Sequence, residues 1–558
     1  MFSLMCNLMG NAMYRKAGNR PNSRQTKSQD DAMNEHKLQG AASPRPAYDS
    51  PDLILGVIGC GVMGRGIAQI AALAGTQVRL MDSRAGAAQA ARHELLSTFA
   101  KLVEKGRLTQ SLADAAAARL SIASDIRDLA DVHIVIEAIV EDLAAKKSLF
   151  QQLESIVGST TILATNTSSL SVTAIAAGLQ VPQRVAGFHF FNPVPLMKIV
   201  EAIGGLLTGA EVVDFLIALG THWGHATVRA KDTPGFIVNH AGRGYGTEGL
   251  RILAENTTDI AHLDHILREC AGFKLGPCEL MDLTGLDVSH PVMESIYQQY
   301  YEEPRFRPQG LTRQMLTAGV LGKKTGQGFY RYDNAGKKLS QTAASPQTGV
   351  TPSAHLPRAI WLSRAQSGRS EGLRELIATL ASSIGVEFDQ GEHPGVDSLC
   401  IVTPIGDDAS TCCINEGLDP QRTLAMDVLF SLTTRRMLMT TPATSDMYRA
   451  MADSFFSADG AAVSVICDSY GLVAQRVVAH IINIACDIAQ QHIALPEDID
   501  RAVKLGLGYP HGPLAWGDQL GAATVLQILE CLLLHTGDPR YRPSPWLKRR
   551  AQLRLSLH

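Results

Sequence analysis

Between Asp52 and about Arg229, short apolar runs alternate with amphipathic stretches, and that alternation predicts the fold. Leu53-Ile-Leu-Gly-Val-Ile, Val78-Arg-Leu-Met, Val132-His-Ile-Val-Ile, Thr161-Ile-Leu-Ala-Thr and Arg184-Val-Ala-Gly-Phe-His189 each read as a buried strand. Helical patterns separate them, at Ile67–Gly75 and over a long region from Gly86 to Leu120. Such runs predict a doubly wound α/β sheet of the Rossmann type over residues 51–230. Ligands of these sheets sit beyond the carboxyl ends of the strands, so Asp82, Glu137, Ser168 and His189 are expected at one rim. An all-α domain is predicted for 231–333. Residues 334–357, with Ser, Thr, Gln, Ala and three prolines, read as a linker.

Strand-like runs resume at Ala359-Ile-Trp-Leu, Ser398-Leu-Cys-Ile-Val-Thr, Leu424-Ala-Met-Asp-Val-Leu and Met437-Leu-Met. No glycine turn accompanies them, so 358–467 is expected to be a shrunken α/β domain without cofactor. An unrelated α/β insertion is the alternative. Residues 468–558 repeat the first helical domain at a constant separation of 236 positions. Asp232/Asp468, Gly235/Gly471, Asp264/Asp500, Gly272/Gly508, Pro277/Pro513, Asp282/Asp518 and Gly285/Gly521 are identical pairs. Asn239, in contrast, becomes Gln475.

The first apolar run ends in Gly59, Gly61 and Gly64, spaced G-x-G-x-x-G, and passes directly into a helical pattern. Gly59 permits the turn, Gly61 lets backbone approach a pyrophosphate, and Gly64 allows close helix–strand packing. The helix start then offers free N–H groups to phosphates. Asp82, at the tip of the second run, can accept bonds from a ribose diol and repel a 2′-phosphate. The unit predicts dinucleotide binding and favours NAD over NADP, with Arg84 the one feature pointing the other way. Val62 and Met63 lie within the turn and join the expected cofactor contacts.

His189 stands in Gly187-Phe-His-Phe-Phe-Asn-Pro-Val-Pro, with Glu201 twelve positions on. Between Phe188 and Phe190 it is expected to be partly desolvated, and so neutral and basic. A carboxylate on its far nitrogen would fix the tautomer and support the imidazolium. That suits a base that takes a proton from an alcohol while hydride leaves the same carbon.

Composition narrows the partners. The 558 residues carry a net charge of −3 and are 19% charged, without the basic excess that nucleic acid would ask for. No apolar run approaches the length of a membrane span. Ten cysteines show no metal-ligand spacing and read as reduced thiols of a cytoplasmic protein. Residues 1–50, rich in Asn, Ser, Gln and Met, are expected to be a disordered leader, or to follow from a start codon upstream of the true one near Met33.

Ile136-Glu-Ala-Ile-Val-Glu-Asp, Thr165-Asn-Thr-Ser-Ser, the His189 run through Glu201, Lys231-Asp-Thr-Pro-Gly-Phe-Ile-Val-Asn239 and Leu321-Gly-Lys-Lys-Thr-Gly-Gln-Gly-Phe-Tyr resemble the 3-hydroxyacyl-CoA dehydrogenase family. The resemblance covers about residues 53–332. It implies NAD-dependent oxidation of an L-3-hydroxyacyl-CoA to the 3-ketoacyl-CoA, in fatty-acid or aromatic-acid catabolism. It implies His189 as base, Glu201 as its orienting partner, and Ser168 and Asn239 as hydrogen-bond partners of the substrate. Glu141, Lys146, Ser168 and Asn192 are the implied cofactor contacts, and Lys105 could meet a CoA phosphate. The ending Tyr509-Pro-His-Gly-Pro-Leu-Ala-Trp-Gly is similar to the longer members that act on 3-hydroxyadipyl-CoA in bacterial phenylacetate breakdown. Rival readings are a dehydrogenase of a free hydroxy acid and a non-catalytic NAD-binding structural protein. Either a homodimer or a monomer containing an internal pseudo-dimer is expected. One departure stands out: after Asn239 come His240, where the family pattern leads one to expect arginine, and Gly242, Gly244, Gly246 and Gly249. Each glycine costs a helix about 1 kcal/mol against Ala, so this segment is expected to be partly unwound.

Overall fold

Eight short strands, most of them buried, build the first sheet of this computed structural model, which describes residues 45–339, 356–365 and 370–558. Nearly all of the expected leader and most of the expected linker lie outside the described residues. The strands are β1 (Ile54–Ile58), β2 (Gln77–Met81), β3 (Leu120–Ile122), β4 (Ile134–Glu137), β5 (Ile162–Thr165), β6 (Val185–Phe190), β7 (Ile199–Gly204) and β8 (Ala226–Lys231). Their order is β3-β2-β1-β4-β5-β6-β7-β8. Pairing is parallel except between β6 and β7, whose connection is too short for a helical crossover and turns the chain back antiparallel. The strand order reverses between β1 and β4, the switch point where such sheets bind ligands.

Alternate residues feed two cores. Val57, Phe188 and Phe190 pack on one face with Ile67 of the helix Val62–Leu73 and Leu216 of the helix Ala210–His222. Ile58, Val135, Leu163 and Ile203 pack on the other with Phe150 and Leu153 of the helix Leu143–Glu154. The expected long helix is two, Ala87–Glu104 and Gln110–Ala118, parted by Gly106 at φ +65°.

The second sheet holds β9 (Ala359–Leu362), β10 (Glu387–Asp389), β11 (Ser398–Val402), β12 (Thr423–Met426), β13 (Arg435–Thr440) and β14 (Ala462–Ile466), in the order β10-β9-β11-β12-β13-β14. Its antiparallel step at β12/β13 and parallel step at β13/β14 repeat β6/β7 and β7/β8. Pro-Gln-Arg opens both β6 (182–184) and β12 (420–422) in a 3-10 turn. What this sheet lacks, among the described residues, is counterparts of β3 and β4. Similar buttresses tie each sheet to the helices that follow it. Asp232 accepts from Ser171 Oγ and the Val172 and Thr173 N–H groups, and Asp468 accepts from Ala409 N–H and Ser410 Oγ.

The glycine-rich segment after Asn239 is helical, contrary to expectation. A one-turn helix, Val238–Ala241, breaks only at Gly242, and a second runs from Arg243 to Ala254. Tertiary packing outweighs propensity here. A Cβ on Gly244 would stand 3.0 Å from Ile484 Cδ1 and 3.4 Å from the Ile481 backbone, and one on Gly249 would stand 2.8 Å from Pro277. The glycines therefore admit close neighbours, chief among them the helix Val473–Gln490 of the second helical domain, which is buried along nearly its whole length.

Candidate active site

The β6/β7 register sets His189 directly opposite Glu201. Adjacent side chains on one face of a sheet lie within bonding reach, and His189 Nδ1 is 2.7 Å from Glu201 Oε2. Both residues are buried, Glu201 completely. The other carboxylate oxygen, Oε1, accepts the Ile237 and Val238 N–H groups at 2.9 Å each. One carboxylate thus joins the imidazole to the first turn of the helical domain. The rings that desolvate His189 are Phe191, with centroids 4.3 Å apart, and Phe236 at 5.8 Å. Phe188 and Phe190, the neighbours expected from the sequence, point to the opposite core because strand side chains alternate.

The loop after β5 closes the other side. Glu141 Oε1 accepts from Thr167 Oγ1, Ser168 N–H, Ser169 N–H and Ser169 Oγ at 2.6 to 3.2 Å. Burial opposes the charge of Glu141, but Lys146 and these donors outweigh it and hold the carboxyl below its usual range. Asn239 Nδ2 lies 3.5 Å from the Ser168 carbonyl, so these two expected substrate ligands share one edge. Lys146 is almost fully buried, and its Nζ donates to both oxygens of Glu137 at 2.8 and 2.9 Å, with Glu141 Oε2 at 3.3 Å. Asn192 is exposed in the loop after β6. Lys105 is exposed at the end of the helix Ala87–Glu104, apart from this cluster, and its ammonium makes no ion pair among the described residues.

The residues around β1 fit a dinucleotide. Gly59 has φ +96°, and a Cβ there would stand 2.4 Å from the Ala138 carbonyl oxygen. A Cβ on Gly64 would stand 1.8 Å from the Gly59 carbonyl oxygen, so neither position admits a side chain. A Cβ on Gly61 would meet nothing within 4 Å, and the helix that Gly61 begins has no side-chain cap. Uncapped N–H groups therefore face open space, flanked by Val62 and Met63, as a diphosphate requires. Asp82 Oδ2 accepts the Cys60 N–H at 2.8 Å, bracing the turn, and Oδ1 accepts the Arg84 N–H at 3.0 Å. Burial opposes its charge, and the Arg84 and Cys60 bonds prevail, holding the carboxyl below its ordinary value. A cleft of about 430 Å³ opens alongside, lined by Cys60, Arg65, Arg84 and Ala87 among others.

Among the described residues, the second sheet offers no equivalent. Continuing the β12/β13 register sets Asp427 against Met437 where His189 faces Glu201. Gln475, at the place of Asn239, is folded inward onto Gly406 N–H, the Pro404 carbonyl and Asp427.

Comparison with known proteins agrees with this layout. The family described as 3-hydroxyacyl-CoA dehydrogenase, NAD binding domain, matches residues 54–233. The same family's C-terminal domain matches twice, at 235–332 and 471–555. The chain is 38% identical over 500 residues to 3-hydroxyadipyl-CoA dehydrogenase of Escherichia coli (strain K12), covering 89% of this chain and 97% of the relative. It is 40% identical over 277 residues to the probable 3-hydroxybutyryl-CoA dehydrogenase of Bacillus subtilis (strain 168), covering 50% and 96%. The crystal structure of 3-hydroxybutyryl-CoA dehydrogenase from Escherichia coli K12 superposes with a TM-score of 0.76 at 36% identity, over 90% of this chain and 98% of that one. With its NAD-binding domain and both helical domains accounted for, this chain belongs to the 3-hydroxyacyl-CoA dehydrogenase family.

Proposed function

We propose that the protein oxidises an L-3-hydroxyacyl-CoA to the 3-ketoacyl-CoA with His189 as the base. The observation that carries this reading is the buried His189–Glu201 pair, whose carboxylate is anchored by two backbone N–H groups. A carboxylate can only accept, so Nδ1 carries the hydrogen and Nε2 is left with a free lone pair. Nε2 takes the hydroxyl proton, and Glu201 supports the imidazolium that results. The Gly59–Gly64 turn and Asp82 would hold NAD, which would supply the acceptor for the hydride that leaves the same carbon. Ser168 and Asn239, on the edge beside His189, orient the hydroxyl and the thioester carbonyl. Glu141 positions Ser168 through its backbone N–H, and Lys146 pairs with both Glu141 and Glu137 at the end of β4.

The full-length likeness to an enzyme named for 3-hydroxyadipyl-CoA favours a dicarboxylic acyl group, and with it a place in aromatic-acid catabolism. We place the protein in the cytoplasm. The described cysteines are all unpaired, and no single described helix is long and apolar enough to cross a membrane. NADH absorbance should appear with 3-hydroxyacyl-CoA thioesters and stay absent with the matching free acids. Equal turnover of the free acid would instead make this a hydroxy-acid dehydrogenase. Cofactor binding with no turnover of any thioester would make it a structural protein.

A further inference from the structure

Arginines drawn into the helical half of this protein come with acids. Arg305 pairs with Asp487, and Arg476 and Arg540 both pair with Glu248. Arg243 does not. It is half-buried, no carboxylate among the described residues pairs with it, and its side chain makes one hydrogen bond there, from Nε to the Asn239 carbonyl at 2.8 Å. That bond folds the guanidinium back along the helix toward Asn239, the active-site end. Burial lowers its pKa, with no carboxylate to offset the cost. A cation kept in this state lacks an acidic partner, and its Nη donors, which make no hydrogen bond among the described residues, are available to an anion from outside the chain.

Arg243 lies one turn, about 5.4 Å along the axis, beyond Asn239. In a 3-hydroxyadipyl group the second carboxylate is three carbons past the hydroxyl-bearing carbon, a comparable reach. We propose that Arg243 is a specificity residue that receives the distal carboxylate of a dicarboxylic 3-hydroxyacyl-CoA; this rests on the dehydrogenase reading above. The pairing would be bidentate, the geometry that guanidinium and carboxylate share. The second helical domain shapes the same corner: Leu507 packs on Gly242, and Tyr509 stacks edge-on with Tyr245.

The test compares two thioesters of equal chain length, 3-hydroxyadipyl-CoA and 3-hydroxyhexanoyl-CoA, which differ by that carboxylate. The wild type should prefer the adipyl ester in kcat/KM. Arg243→Met should lower the ratio about 10²-fold, since truncating one partner of a buried charge pair costs a factor of that order or more. Most of the loss should fall on KM, because the group is remote from the reacting carbon. Arg243→Lys should keep part of the preference, and it decides the matter should the Met variant fail to fold. Turnover of both esters without preference, or a preference indifferent to either substitution, overturns the proposal and leaves the dehydrogenase reading standing. No turnover of either ester by the wild type overturns that reading itself.

Discussion

A single glutamate carries the chemistry at the scale of one residue. With Oε1 occupied by Ile237 and Val238 N–H and Oε2 by His189, Glu201 has no freedom to reorient, so its charge is fixed behind the imidazole. His189→Gln should lower kcat about 10²–10⁴-fold, the usual range for a general base, with NADH affinity retained. Glu201→Gln should lose less because the imidazole itself remains, but the one amide oxygen can serve either Nδ1–H or the Ile237 and Val238 N–H groups, and the neutral amide no longer balances an imidazolium. Steady-state rates with separately measured NADH affinity check both, and wild-type kcat in His189→Gln removes it as base. Lys146 offers a sharper contrast. Its implied role was a cofactor contact, yet its ammonium is held by Glu137 at the end of β4. Lys146→Met should therefore cost about 3–5 kcal/mol of stability by stranding a buried carboxylate. Denaturant titration reads that loss, whereas a direct cofactor contact would show chiefly in NADH affinity. His189 and Glu201 were legible because their motif is dense. The Lys146–Glu137 pair and the rings around His189 were not, since both depend on which face of a strand meets which neighbour.

At the scale of elements, the strands and the glycine turn followed from apolar runs and spacing, because each bears its signal locally. β3, β7, β8, β10 and β14 escaped notice, and so did the antiparallel step, although that step alone brings His189 against Glu201. The glycines after Asn239 misled for a related reason. Helix propensity is local, whereas the neighbour that requires glycine at 244 is the helix Val473–Gln490, more than two hundred residues away. Gly244→Val should then destabilise by about 1–3 kcal/mol through overpacking, despite a better intrinsic helix former. Thermal unfolding measures it. A neutral or stabilising result would show that the helices do not pack this closely.

Across the whole molecule, the internal repeat places one helical domain against the other, and Glu248 lies at the join. It accepts from Arg476 and Tyr541 at Oε1 and from Arg540 at Oε2. Burial opposes its charge, but Arg476 and Arg540 prevail and hold the carboxyl at about 2 against an ordinary 4.5. A depressed acid stabilises fully above its unfolded value, and that contribution is lost as pH falls from 4.5 toward 2. Glu248→Gln should be less stable than wild type by about 3–5 kcal/mol at neutral pH, and the gap should narrow in acid. A gap independent of pH would mean the charge contributes nothing. We also expect one NADH per chain in calorimetric titration, because residues 358–467 carry no G-x-G-x-x-G turn for a diphosphate; two equivalent sites would refute this. The helix against which Arg243–Ala254 packs belongs to the same polypeptide, so meeting it is an event within one molecule. Two subunits held by a comparable face part on dilution, and their melting temperature falls with concentration. Here the counterpart travels in the same chain, so dilution alone does not part these two helices.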